Sequence, residues 1–162
     1  MVAADLPGVL AVADGVHPAF PEDEGVFAER LRLYPLGCLA FSSGEDVLGY
    51  AVSHPWRAYD PPALNSRLGE LPRRPDTYYI HDVALLSELR GSGAAALVVA
   101  LLLARARKEN FPTVSLVAVN DSVGFWEHHG FRNVAARKVV DAALARKLRA
   151  YDEAAAFMVR TL

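Results

Sequence analysis

Apolar positions recur with helical spacing in two early segments. Leu6–Asp14 reads as a helix that Asp5 can cap, with Pro7 at a tolerated first-turn position and Gly15, Pro18 and Pro21 ending it. Glu22–Tyr34 is a second helix with Val26, Phe27, Leu31 and Tyr34 on its apolar face. Glu22, Asp23 and Glu24 fall in its first turn, where they are expected to complement the helix dipole rather than meet a ligand. The pattern then alternates. Leu39–Ser42 and Val47–Ser53 flank Ser43-Gly44-Glu45-Asp46, a hairpin signal, and Gly49 suggests a bulge or a close approach. His54 to Asp76 is long, irregular and proline-rich, which fits a functional connection or a surface excursion with a short helix at Ala63–Leu68. Tyr79–Leu85 is an apolar run, Ala94–Arg107 a long apolar helix and Thr113–Val119 a strand, followed by a Ser122–His129 helix. Beyond Phe131, Arg132–Ala136 reads as a strand, Asp141–Ala150 as a helix and Ala155–Thr161 as a final strand. This order predicts an α/β (α+β) assembly on a mostly antiparallel sheet, with no internal repeat.

Length and composition narrow the class. At 162 residues, a single domain over 1–162 is expected, and 52% hydrophobic residues supply a sizeable core. The formal net charge of −2 gives no general pull toward nucleic acid or an anionic membrane. Arg137-Lys138 and Arg146-Lys147-Arg149 are therefore read as solvated faces. Cys38 is the only cysteine, so an internal disulfide is excluded, and its apolar neighbours predict a buried, inert thiol. Asp5 and Pro7 interrupt any leader-like stretch, and the apolar run Ala94–Ala104 is too short to span a bilayer. A cytoplasmic protein is expected.

The most informative stretch is Arg90-Gly91-Ser92-Gly93-Ala94-Ala95, between the Tyr79–Leu85 run and the long helix. Amides at a helix start have no intrahelical partner, and the dipole there favours an anion. Glycines allow close backbone approach, and Arg90 adds a forked cation suited to phosphate. A Walker A loop is excluded because no lysine follows Gly93. A dinucleotide fingerprint fits Gly91, Gly93 and Ala96, with Asp121 as a ribose acid, but Leu86–Leu89 separate the loop from its strand. A third pattern, Gln/Arg-x-x-Gly-x-Gly/Ala, is met by Arg90, Gly93 and Ala95.

That third pattern is the coenzyme A pyrophosphate loop of the GCN5-related N-acetyltransferases, which the chain resembles. Downstream, Asn120-Asp121-Ser122-Val123-Gly124-Phe125-Trp126 through Gly130-Phe131 is similar to the family's Asn…aromatic…Gly-Phe ending. The similarity covers Tyr78–Phe131 well, and Leu39–Val52 loosely. It implies two parallel strands, ending near Leu86 and Asn120, that splay to form an acetyl-coenzyme A cleft. It also implies transfer of an acetyl group to a primary amine of a small molecule or peptide. The cosubstrate would contact Val83, Leu85, Arg90, Gly91, Ser92, Gly93, Ala94, Ala95, Asn120, Phe125 and Trp126. No metal and no nucleic-acid or membrane partner is implied, and the resemblance leaves room for a homodimer.

The same resemblance assigns catalysis. A bulge in the strand turns an amide toward the thioester carbonyl, and the matching position is Val83, with Leu85 and Leu86 flanking. Tyr79 and His81 match strand positions where the family places a base or a water-relaying group. An imidazole's ordinary pKa of about 6.5 suits a general base. By strand alternation, Tyr79, His81 and Val83 share one face and Ile80 and Asp82 the other, so His81 and Asp82 point apart. The proline-rich segment is assigned to the acceptor side, where Trp56, Tyr59 and Asp82 are the candidate acceptor contacts. Trp126 stands where many members have a tyrosine that protonates the leaving thiolate, and indole cannot do that job. Asn120 fits either a cofactor contact or the cap of the following helix.

Other constellations carry less. His128 and His129 are adjacent on a helix and diverge, with no partners for a metal. His17 and His54 precede prolines and are expected in loops, at the surface or near the acceptor. Ser92 fits an anion contact better than a nucleophile. The rival readings are a coenzyme A-binding regulatory module without turnover, a longer-acyl transferase and a nicotinamide-dependent enzyme.

Overall fold

The computed structural model describes residues 1–134, 142–151 and 154–162. Helix α1 (Leu6–Val16) buries Leu6, Val9, Val12 and Ala13, the stripe that its spacing requires. Helix α2 (Glu24–Leu33) starts two residues later than the composition suggests. Asp23 is its N-cap residue and Glu22 lies outside it. Strands β1 (Cys38–Ser43) and β2 (Asp46–Trp56) form the expected hairpin, and a Cβ on Gly49 would lie 2.9 Å from Ala84 O, the close approach its position suggested. Residues 57–76 follow, then β3 (Thr77–Leu85), α3 (Ala94–Lys108), β4 (Thr113–Ala118) and α4 (Val123–His128). The chain closes with β5 (Arg132–Asn133), α5 (Ala142–Arg149) and β6 (Ala156–Thr161). Residues Ala135 and Ala136, Arg137-Lys138 and Asp141, included in expectations above, lie outside the described residues.

The six strands make one sheet in the order β1-β2-β3-β4-β6-β5. All neighbours are antiparallel except β3 and β4. That parallel pair is joined only from Tyr78↔Val114 to Ile80↔Leu116, and beyond those residues the two strands part. The fold is therefore a mixed, mostly antiparallel sheet flanked by helices, with one splayed parallel pair. One face packs α3 and α4 through Val98, Leu102, Ala106 and Trp126, with Phe131 just after α4, onto Tyr78, Ile80 and Leu116. The other packs α1 and α2 onto Tyr50, Val52 and Ala84, and α5 through Leu144 onto Tyr79 and Phe157. No helix among the described residues is long and apolar enough to cross a membrane.

One local irregularity decides where the functional groups point. Opposite Val52 and Ser53, β3 presents Asp82 and Ile80, so His81 is the extra residue of a β-bulge. Alternation fails there. Val83 and Leu85 rejoin the face of Tyr78 and Ile80, whereas Tyr79 and Ala84 pack on the opposite one. The expectation that Tyr79, His81 and Val83 share a face is thus corrected, as is the expectation that His81 and Asp82 point apart.

Candidate active site

The splay opens a cleft of about 360 Å³ between β3 and β4. Ile80, His81, Asp82, Val83 and Leu85 line it from β3, and Leu116 and Val117 from β4, with Val119, Asn120, Phe125 and Trp126 following. The turn between α1 and α2 closes one end with His17, Phe20 and Glu22, joined by Leu64 and Tyr151. The other end continues past Leu85, Ala95 and Phe125 into a groove over Arg90, Gly91 and Gly93.

Backbone direction in β3 follows from its pairing. Leu86 N donates to Leu48 O at 2.9 Å, and Ala84 O also faces β2. Successive residues of a strand turn their polar groups to opposite edges, so Val83 and Leu85 present theirs to the wedge. The Val83 carbonyl lies 3.4 Å from His17 Nε2, which places it there. Its N–H opens the same way, whereas Leu86 is committed to the sheet.

Two imidazole–carboxylate pairs meet on the bulged side of the strand. His81 Nε2 is 2.8 Å from Glu22 Oε2, and both side chains are nearly buried. Glu22 also accepts from Asn65 N at 3.0 Å, so the proline-rich segment does border the cleft. Burial opposes ionisation of Glu22, but the charge of His81 and its hydrogen bond outweigh it and hold the carboxyl below the usual range. His81 Nδ1 is buried and has no hydrogen-bond partner among the described residues. Asp82 Oδ1 is 3.2 Å from His17 Nε2, and Oδ2 accepts from the Tyr50 hydroxyl. Burial again opposes, yet His17 and Tyr50 keep Asp82 below the usual carboxylate range. Burial likewise disfavours the charged form of His17, and Asp82 overrides it and raises the imidazole's pKa.

The anion loop has the local geometry its glycines predict. Gly91 and Gly93 have φ of +73° and +82°, the left-handed region, and a Cβ on either would meet nothing within 4 Å among the described residues. The backbone is thus accessible from the groove, a cradle suited to pyrophosphate. The first-turn amides of α3 at Ala95 and Ala96 border that groove. The Ser92 hydroxyl donates to Leu89 O at 2.7 Å and accepts from Ala94 N at 3.2 Å, so Ser92 and Ala94 shape the loop from within. Arg90 is exposed at the rim, and His128 and His129, expected to diverge, both border the same groove.

Several expected positions fall elsewhere. Trp56 is a core residue whose Nε1 donates to Asp60 O, and Tyr59 is exposed against Phe157; neither lines the cleft. Tyr79 is fully buried and hydrogen-bonds Tyr151, with its pKa driven far up by burial. His54 belongs to β2, not a loop, and burial with the charge of His81 lowers its pKa to about 3. Asn120 does not cap α4, whose N-cap residue is Ser122; its amide meets His17 Nδ1 at 3.0 Å. Trp126 is buried edge-on to Phe131, and Phe125 is the more exposed of the two aromatics. His17, Glu22, Phe20, Leu64 and Tyr151 are cleft residues that periodicity alone did not bring together.

Comparisons with known proteins follow the same line. The family model described as acetyltransferase (GNAT) family matches residues 10–131. A search of curated proteins found no match. Among solved structures, Ard1 from Thermoplasma volcanium superposes with a TM-score of 0.71 at 15% identity, covering 100% of this chain and 94% of that one. Naa50 from Arabidopsis thaliana, in complex with the bisubstrate analogue CoA-Ac-MVNAL, gives 0.69 at 12% identity, covering 100% and 95%. The GphF GNAT-like decarboxylase in complex with isobutyryl-CoA gives 0.72 at 15% identity, covering 99% and 96%.

Proposed function

The chain belongs to the acetyltransferase (GNAT) family, and from that premise we propose that it transfers an acetyl group from acetyl-coenzyme A to a primary amine. The reading takes the chain as one cytoplasmic domain and the acceptor as a small molecule or a peptide. Acetyl-coenzyme A supplies the acetyl group as an activated thioester. Arg90, the glycine loop and the first amides of α3 would hold its pyrophosphate, with Val83, Leu85, Asn120 and Phe125 along its arm.

One observation carries the proposal. His81 Nε2 and Glu22 Oε2 lie 2.8 Å apart and both residues line the cleft, which makes the pair the candidate base. The pair would take a proton from the acceptor's ammonium, directly or through water, and Val83 N–H would donate to the oxyanion that develops on attack. Glu22 fixes the ring and compensates its charge once protonated. Asp82 and Glu22 add negative potential for a cationic acceptor.

The test is thiol release from acetyl-coenzyme A over a panel of small amines and short peptides. Wild type should turn over at least one class, and His81→Gln should lose most of that rate. Trp126, which has no acidic proton to offer, favours a second reading as a coenzyme A-binding regulatory module. Stabilisation by coenzyme A without thiol release from any amine would select that reading.

A further inference from the structure

Resting on the reading of the cleft as an acetyl-coenzyme A site, the geometry points to His17 as the catalytic acid that protonates the departing thiolate.

The chemistry sets the requirement. As the amine nitrogen bonds to the carbonyl carbon, the C–S bond breaks and its electron pair stays on sulfur. That sulfur needs a proton or a cation beside it. Trp126 supplies neither. Tyr151 donates to Pro62 O at 2.8 Å, and burial pushes its pKa up to about 12. Tyr79 is deeper still. His81 faces Glu22 and receives the amine's proton. Among the described residues of the cleft wall, His17 is the remaining imidazole or phenol that can give up a proton.

Its placement fits. His17 contacts both lips of the wedge, Val83 O on β3 and the Asn120 amide after β4. Val83 N–H, the proposed oxyanion donor, opens onto the same strip, so the thioester would lie alongside the ring. Two carboxylates face His17. Asp82 is in contact and backed by the Tyr50 hydroxyl, and Glu22 is farther off on the same side. Both favour the imidazolium. With Nε2–H held by Asp82, Nδ1–H points at Asn120, whose carboxamide offers its oxygen by a half-turn. When the cofactor arm engages Asn120, that proton is free to face the sulfur. The step balances: Nδ1–H passes to the thiolate, coenzyme A leaves as the thiol, and His17 is left neutral to be reprotonated from solvent.

The test needs no acceptor. The ionisation of coenzyme A bound to the enzyme is followed by thiolate absorbance against pH, with the desulfo-coenzyme A complex as blank, for wild type, His17→Gln and Asp82→Asn. A cation beside the sulfur lowers the thiol's pKa by about one unit, tenfold in acidity. Wild type should therefore show the thiolate at lower pH than His17→Gln, with Asp82→Asn moved the same way as His17→Gln. Coincident curves for wild type and His17→Gln, in proteins whose melting temperatures rise equally with coenzyme A, would overturn the assignment alone. No rise for wild type would overturn the cofactor reading and this assignment with it. Should His17→Gln not fold, the Asp82→Asn curve decides by the same criterion.

Discussion

His81 and Glu22 are 59 residues apart in sequence, yet their side chains meet at 2.8 Å in a nearly dry environment. The contact joins the bulge of β3 to the residue just ahead of α2 and fixes the orientation of the His81 ring. Removing the imidazole by His81→Gln should lower turnover by about two to four orders of magnitude, the usual worth of a positioned base. Glu22→Gln keeps the ring but loses its anionic partner. It should lower kcat with little change in KM for the acceptor, as steady-state kinetics on the first active amine would show. A raised KM with unchanged kcat would place both residues in binding only.

The His17–Asp82 pair predicts a bounded window of pH-dependent stability. Asp82 is held below the usual carboxylate range, so its contribution is present above about pH 4 and is lost as pH falls through the depressed value. His17 is raised, so its contribution is complete below about pH 6.5 and is lost as pH rises through the elevated value. The melting-temperature difference between wild type and His17→Gln should therefore be largest between these limits and shrink on both sides. A difference independent of pH would show that His17 contributes only packing.

The glycine loop separates conformational from ligand effects. Gly93→Ala forces a Cβ into the left-handed region without a clash, so it should cost about 1–2 kcal/mol of stability. Arg90→Glu, at an exposed site, should leave stability unchanged and weaken coenzyme A binding at least tenfold. Thermal melts and calorimetric titration of the two variants distinguish these outcomes.

Cys38 should be inert. It is buried, donates weakly to Tyr34 O, and burial raises its pKa to about 11. A thiol reagent should modify the native protein no faster than it unfolds, and Cys38→Ala should retain acyl transfer. Rapid labelling with loss of activity would instead implicate a covalent thioester intermediate.

Much of this was legible in sequence because it is local. The hairpin, the glycine turn and the long helix behind it depend on residue spacing and left-handed glycines, and the structure places them where the pattern does. The parting of β3 and β4 was legible only as what the family resemblance, carried by the loop and the Asn120 segment, implies. The bulge was legible only through family resemblance, since an inserted residue leaves no mark in an apolar run, and every face assignment after His81 reversed with it. Glu22 looked like a dipole-compensating acid because nothing nearby in sequence announces His81. His17 shows the same limit, for its partners Asp82, Val83 and Asn120 lie 65 or more residues away. Trp56 and Tyr59 lie off the cleft for the opposite reason. Aromatics in an irregular segment suggest a binding surface, but β2 extends to Trp56 and carries its ring into the core.

The bulge at His81 behaves like a dislocation in an otherwise regular lattice. Without that one residue, β2 and β3 could pair in unbroken register and the core would lose little. Two acids and two imidazoles would then no longer converge. The extra residue is itself His81, so one position supplies both the imidazole and the slack in register that turns it to Glu22, which makes reactivity here a matter of phase along a strand as much as of which amino acids the strand contains.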